Sequence, residues 1–213
     1  LVGFVGAFVI IGEEAMPALA QARAITVGPG AAYDFSAIQA GIDAAVNGDT
    51  VSVAPGEYVI TVPITFRGKA ITVQSQSGPE VTKIQMSTPA NPQEGSVLLF
   101  ENGETKASVL EGFTITGGRA SWRSRGPGHS PEFFGGGILC LGASPIIVDC
   151  VITGNTTPYV GGGVVSEGGA SPTLIGCVIS RNSAAFEGGG FATGTAPLAG
   201  TVINCTITGN SAG

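Results

Sequence analysis

The strongest constraint on the fold of this 213-residue chain is an internal repeat of about 27 residues. Three residue types share that period: triple glycines that start at Gly135, Gly161 and Gly188, cysteines at Cys150, Cys177 and Cys205, and asparagines at Asn155, Asn182 and Asn210. Periods of this size indicate a solenoid or a propeller. Because propeller blades need about 40 residues and leucine-rich repeats need a leucine consensus that is missing, the period predicts a solenoid.

The aligned repeats predict short parallel β-strands. Two columns are apolar in every copy: Leu110, Ile147, Leu174 and Val202, then Ile115, Ile152, Ile179 and Ile207. Between them lie residue types that tolerate positive φ, namely Gly112, Asp149, Gly176 and Asn204. We therefore predict inward-facing apolar columns and a left-handed corner in each coil. The asparagines should form a ladder at a second corner, and the triple glycines should be corner residues.

A helix is predicted over residues 37 to 46, before the first coils. Ser36 and Gln39 have the spacing of a capping box, and Asn47-Gly48 is a typical stop. One face of this helix is apolar: Phe35, Ile38, Ile42 and Ala45. Because a solenoid has an open end, a helix at this position covers its core. The predicted fold class is an all-β, right-handed parallel β-helix of about seven coils with an N-terminal capping helix.

The N-terminal residues 1–22 are predicted to be a signal peptide that is truncated at its start. An apolar run, Leu1–Gly12, is followed by small residues up to Ala22, where cleavage is expected. A membrane anchor is the alternative, but a dozen helical residues span only ~18 Å of a ~30 Å hydrocarbon core. We therefore expect a β-helix domain over residues 23–213, incomplete at its C-terminus and not inserted in a membrane. Its expected location is secreted, extracellular or on the cell surface.

Composition excludes several classes of protein. The hydrophobic fraction is 43%, which is enough for a core and excludes global disorder. The net charge is −6 and no basic block occurs, so a nucleic-acid partner is not expected. Three of the four cysteines would stack ~4.8 Å apart with parallel side chains, which is poor geometry for a disulfide. We expect free, buried thiols, with a disulfide as the alternative.

Two segments resemble known β-helix proteins. Ala40–Tyr58 is similar to the entry segment of right-handed parallel β-helix proteins of the pectate-lyase-like superfamily. Ser171–Ala184 resembles the repeats of bacterial surface β-helix proteins, including the polymorphic-membrane-protein type. The resemblance covers residues 25–213 and implies the fold. It leaves the activity open, because the superfamily contains lyases, hydrolases, epimerases and adhesins.

The resemblance leads to no catalytic assignment. A lyase of this superfamily would hold Ca²⁺ with clustered carboxylates, whereas the acids here are scattered. A hydrolase would have an Asp pair and a Gly-His-Gly turn. The only histidine, His129, does not stand in a turn of that sequence. We therefore predict no catalytic residue, no metal site and no cofactor, with Ca²⁺ expected only for a lyase-like activity.

An insertion of about ten residues lies between the repeat units, within residues 119–134. Long loops on rigid scaffolds are frequent functional sites. The predicted ligand residues are Trp122, Arg119, Arg123, Arg125 and His129. In this hypothesis the tryptophan stacks on a sugar ring and arginines pair with a uronate or sulfate. The alternative is a solvated loop whose two phenylalanines pack against the solenoid.

These observations predict a structural or adhesive surface module. Its candidate partner is a polysaccharide or a glycan of a host or cell surface. The alternative is a polysaccharide-degrading enzyme, a pectate-lyase-like lyase rather than a glycoside hydrolase.

Overall fold

The computed structural model describes residues 22–124, 128, 130–194 and 200–213. Residues 1–21 of the predicted signal peptide, and two predicted ligand residues, Arg125 and His129, lie outside the described residues. In chain order the elements are β1 (Ala24–Val27), α1 (Ile38–Ala44), β2 (Thr50–Val53), β3 (Gly56–Ile60), β4 (Ile64–Thr65), β5 (Thr72–Ser75), β6 (Thr82–Met86), β7 (Leu98–Phe100), β8 (Val109–Glu111), β9 (Thr114–Thr116), β10 (Ser121–Arg123), β11 (Glu132–Phe134), β12 (Ile138–Leu141), β13 (Ile146–Val148), β14 (Val151–Thr153), β15 (Thr156–Thr157), β16 (Val164–Glu167), β17 (Thr173–Ile175), β18 (Val178–Ser180), β19 (Ser183–Ala184), β20 (Phe191–Thr193), β21 (Thr201–Ile203), β22 (Thr206–Thr208) and β23 (Ser211–Ala212).

Three long parallel sheets run along the described chain, beside a short one made of β15, β19 and β23. The first sheet has seven strands in the order β1-β2-β5-β8-β13-β17-β21. The second has the order β3-β6-β9-β14-β18-β22 and the third the order β4-β7-β12-β16-β20. Each strand pairs in parallel with the equivalent strand of the next coil, as β13 does with β8 and β17. This confirms the predicted fold class, an all-β, right-handed parallel β-helix with a helix at its N-terminal end.

The two apolar columns of the repeat face the core, as predicted. Ile147 is in register with Leu110 and Leu174, and all three side chains are fully buried. The members of these columns in the last coil, Val202 and Ile207, are 43% and 47% exposed. They belong to the strands at the edge of their sheets, beyond which the described chain places no further coil. In-register stacking therefore buries one layer of side chains per coil.

The corner between the first and second sheets has the predicted left-handed backbone. Its φ values are positive at Gly112 (77°), Asp149 (46°), Gly176 (65°) and Asn204 (51°). Asp and Asn tolerate this conformation better than other residues with side chains, because they can form local hydrogen bonds. The predicted asparagine ladder is also present. Oδ1 of Asn182 accepts a bond from Nδ2 of Asn155, and Oδ1 of Asn210 accepts one from Nδ2 of Asn182, both at 3.0 Å.

The triple glycines form the corner that precedes the third sheet. The first glycine of each triplet has positive φ, for example 60° at Gly135. The second approaches the next coil so closely that a Cβ at Gly162 would lie 2.5 Å from the carbonyl oxygens of Gly189 and Ser183. The chain before each triplet folds back over the outside of the third sheet. Phe134 and Val160 from this part of the chain form a second buried layer with four residues of the sheet strands: Leu99, Leu139, Val165 and Ala192.

The helix is shorter than predicted and begins differently. It covers Ile38–Ala44, and no side chain caps its N-terminus, so the predicted capping box of Ser36 and Gln39 is wrong. Gln39 instead exchanges two hydrogen bonds with the backbone of Thr65, with Oε1 accepting at 3.0 Å and Nε2 donating at 3.1 Å. A tertiary contact to β4 has replaced the local one. Ile38 and Ile42 are buried against the first coils, so the helix covers that end of the core.

Candidate functional site

The insertion forms a β-ribbon. Strands β10 and β11 pair antiparallel, with Trp122 opposite Phe133 and Arg123 opposite Glu132. All other paired strands that the structure describes are parallel, and this antiparallel pair lies beside the regular coils. The inserted residues 119–134 were predicted to protrude as a loop, and the structure gives their ends a regular pairing instead. Phe134 packs in the outer buried layer, as the solvated-loop alternative proposed for it.

Backbone hydrogen bonds attach the ribbon to the solenoid. The backbone nitrogen of Trp122 donates to Gln93 O at 2.8 Å, and that of Gly95 donates to Ala120 O at 2.9 Å. The hydroxyl of Ser121, which is fully buried, accepts a bond from the nitrogen of Ser96 at 3.2 Å. These bonds hold β10 at a defined height along the solenoid axis. The side chain of Trp122 is therefore presented from a fixed backbone.

Arg123 forms an ion-pair cluster with two glutamates. Its Nε lies 2.6 Å from Oε2 of Glu101, and a terminal nitrogen lies 3.1 Å from Oε1 of the same residue. The same guanidinium is 3.6 Å from Glu94. The hydrogen bond with Glu101 raises the pKa of Arg123, which stays protonated. Two carboxylates thus balance this cation and fix the ribbon, and a role of Arg123 in binding an anionic sugar stays a prediction.

Trp122 is the most exposed aromatic side chain of the ribbon. Its side chain is 38% exposed, and its ring centroid lies 4.8 Å from that of Phe133 with an interplanar angle of 66°. An edge-to-face contact of this kind fixes the orientation of both rings. The indole therefore offers a rigid apolar surface to solvent, as the ligand-site hypothesis requires.

Aromatic residues continue from the ribbon onto the next two coils. Phe133, Tyr159 and Phe186 each lie two residues before a triple glycine, so they hold one repeat position. The rings of Tyr159 and Phe186 are 4.9 Å apart, and Phe186 is 58% exposed. We call Trp122, Phe133, Tyr159 and Phe186 the aromatic row. Its last two members were not predicted from the sequence, although their fixed spacing from the glycines could have revealed them.

A column of hydroxyl groups runs beside the aromatic row. Strands β15, β19 and β23 pair in parallel and align Thr156, Ser183 and Ser211, which we call the hydroxyl column. The hydroxyl of Ser211 donates to that of Ser183 at 3.1 Å. In the preceding coil the equivalent repeat position is Arg119, whose exposed side chain lines an open depression of about 610 Å³ together with Thr156. Of the predicted ligand residues, Arg119 therefore lines this depression, and Trp122 belongs to the aromatic row.

The described residues contain no group of three or more His, Cys, Asp or Glu side chains that could hold a metal ion. A more enclosed groove of about 330 Å³ lies between α1 and β3, and its one acid, Glu57, is 3.5 Å from Lys83. The buried Glu104 accepts backbone hydrogen bonds from Gly68 at 2.8 Å and Asn102 at 2.9 Å. These acids have structural partners, and the geometry gives them no shared site.

The cysteines are free, as predicted. Cys140, Cys150 and Cys177 are buried, and Cys205 is partly exposed. Burial raises the pKa of Cys177 to about 12, and it also raises the pKa of Cys150. Thiols with such values carry almost no thiolate at neutral pH, so these residues act as small apolar side chains. In the part of the chain that is described, no helix is long and apolar enough to cross a bilayer.

No protein-family description matches this sequence, and no curated protein matches it. Among solved structures, the fold is similar to that of a pectin methylesterase from Aspergillus niger. The two sequences are 13% identical, the alignment covers 89% of this chain and 85% of the esterase, and the TM-score is 0.40. Neither activity nor substrate follows from a likeness of this extent. The predicted resemblance is confirmed for the parallel β-helix fold, while the likeness to polymorphic membrane proteins stays a prediction.

Proposed function

We propose that this chain is a structural or adhesive module that binds polysaccharide through the aromatic row. The observation that carries the proposal is the exposure of Trp122 and Phe186 at the two ends of a row of rings that begins on the ribbon and continues on the next two coils. Aromatic rings supply large apolar contact area, and their faces pack against the apolar faces of pyranose rings. The antiparallel ribbon and the parallel bridges from Phe134 to Val160 and from Val160 to Glu187 hold the backbone of the row. Little conformational entropy is therefore lost when a ligand binds.

The expected location of such a module is outside the cell. The resemblance of the repeats to bacterial surface β-helix proteins supports this part of the proposal, together with the apolar N-terminal segment. The partner would be a polysaccharide or a glycan of a cell surface. The low charge of the chain, 11% of its residues, also fits a ligand that is recognised by packing and hydroxyl contacts rather than by phosphate neutralisation.

The test is a binding screen with wild-type protein and two single variants, Trp122→Ala and Phe186→Ala. Isothermal titration calorimetry reports binding of every protein to soluble glycans, including Trp122→Ala, which has lost the only tryptophan of the chain. Co-sedimentation reports binding to insoluble glycans. Removing an aromatic anchor from an interface costs about 2 kcal/mol, which corresponds to a roughly 30-fold weaker affinity. We expect each variant to lose affinity by that order.

The matched control is Val178→Ala. Val178 is 36% exposed but lies on β18 of the second sheet, outside the aromatic row. The Val178→Ala variant should bind glycans with the same affinity as the wild type. Equal binding by all four proteins, or an equal loss in the control, would show that the row is not the binding surface. Circular dichroism of each variant verifies that the fold is intact.

A further inference from the structure

We infer that the ligand of the aromatic row is an uncharged polysaccharide, bound with its chain parallel to the solenoid axis. This inference rests on the proposed function and names the class of glycan. It follows from the direction of the row, the charges beside it and the column of hydroxyl groups that accompanies it.

The row runs along the axis because each of the two ribbon strands and each of the next two coils contributes one ring. Phe133, Tyr159 and Phe186 are separated by one repeat each, and neighbouring strands of a sheet lie about 4.8 Å apart. The backbone nitrogen of Phe186 donates to Tyr159 O at 3.0 Å, which keeps these two positions in register. A chain laid along the axis meets every ring, whereas a chain laid across it meets one. The binding surface therefore fits an oligosaccharide of several units.

The charges near the row disfavour a polyanion. Glu187 is exposed and directly follows Phe186 at one end of the row. At the other end, the guanidinium of Arg123 is already balanced by Glu101 and Glu94, at 2.6 Å and 3.6 Å. A polyuronate carries one negative charge on each sugar. It would approach these carboxylates without a matching row of cations, and like charges repel most strongly near a protein surface of low dielectric constant.

The hydroxyl column supplies contacts that suit neutral sugars. Thr156 and Ser183 lie three residues before Tyr159 and Phe186 respectively, a distance of at most about 11 Å along an extended chain. A hydroxyl both donates and accepts hydrogen bonds, and so it can pair with any sugar hydroxyl. Arg119 occupies one position at the start of this column. A single cation there can donate to a hydroxyl but cannot neutralise a polyanion along the whole row.

The experiment compares two ligand series by fluorescence titration of the folded domain. The first contains neutral oligosaccharides of glucose, xylose and mannose, from about two to six units long, and the second contains oligogalacturonates and oligomannuronates of the same lengths. We expect neutral oligomers to bind at least about 10-fold more tightly and to gain affinity up to about four units. Their binding should change less than about twofold between 50 and 500 mM NaCl, since a neutral ligand has no charge to screen.

Two variants distinguish binding of an uncharged polysaccharide from binding of anionic glycans. Arg119→Gln should leave the affinity for neutral oligomers unchanged, and Glu187→Gln should raise only the affinity for uronates. Tighter, salt-sensitive binding of uronates that is lost in Arg119→Gln would overturn the inference and leave the proposed function intact. Failure of both series to bind would overturn the proposed function itself. A flat dependence on oligomer length would contradict an axial orientation.

Discussion

The asparagine ladder offers the sharpest test of how adjacent coils are held together. Asn182 is almost completely buried, and its side chain forms four hydrogen bonds. Its Oδ1 accepts from the backbone nitrogen and from Nδ2 of Asn155, both at 3.0 Å. Its Nδ2 donates to Ile152 O at 2.9 Å and to Oδ1 of Asn210 at 3.0 Å. One side chain thus connects three successive coils.

We expect Asn182→Ala to destabilise the protein by about 3 kcal/mol. The substitution removes the bonding partner of a buried backbone nitrogen at Asn155 and of the Ile152 carbonyl. Leaving a buried polar group without its partner costs about 1–3 kcal/mol, so two groups give about 2–6 kcal/mol. Whole domains have a free energy of unfolding of only about 5–15 kcal/mol. The predicted loss is therefore a large fraction of the total stability.

Urea unfolding followed by circular dichroism and by Trp122 fluorescence measures this loss. The two signals should give the same midpoint if the coils unfold together. Asn210→Ala is the matched control, because Asn210 lies in the partly exposed last coil, where water can replace its hydrogen bonds. It should cost about 1 kcal/mol. A loss for Asn182→Ala no larger than that of the control would refute the idea that the buried ladder holds the coils together.

Three further outcomes are expected. Gly162→Ala should lower the free energy of unfolding by about 3 kcal/mol or prevent folding, because its Cβ would lie 2.5 Å from carbonyl oxygens of the next coil. The control is Gly169→Ala, where nothing lies within 4 Å of the added Cβ but φ is 79°, and it should lower that free energy by only about 1–2 kcal/mol. Equal urea midpoints for the two variants would contradict this prediction. In native protein a thiol reagent should modify Cys205 first, since the other cysteines are buried. Mass spectrometry identifies the labelled cysteine, and labelling of a buried cysteine before Cys205 would contradict the prediction. Hydrogen bonds from Arg23 lower the pKa of Asp49 to about 2, so stability should fall from pH 4 towards pH 2, and Asp49→Asn should remove part of that slope.

Much of the fold could be predicted because the chain repeats itself. Parallel coils stack in register, so a residue that recurs every 27 positions contacts its own equivalent. The period alone therefore placed Asn182 beside Asn155, Ile147 beside Leu174 and a left-handed corner at Asp149. The same rule could have identified the aromatic row, because Tyr159 and the other rings keep a fixed distance from the glycines.

The non-periodic contacts were decided by the tertiary structure. Gln39 bonds with Thr65 rather than capping its own helix, because β4 lies beside the helix in the folded chain. Arg123 lies in an insertion without a repeat partner, and its pairing with Glu101, 22 residues away, follows from where the ribbon attaches. The sequence by itself determined the solenoid, its core and its corners, because residues that recur at the repeat period contact one another when the coils stack in register. Only the folded chain decided how the insertion lies beside the coils, because no shared register links the residues that meet there.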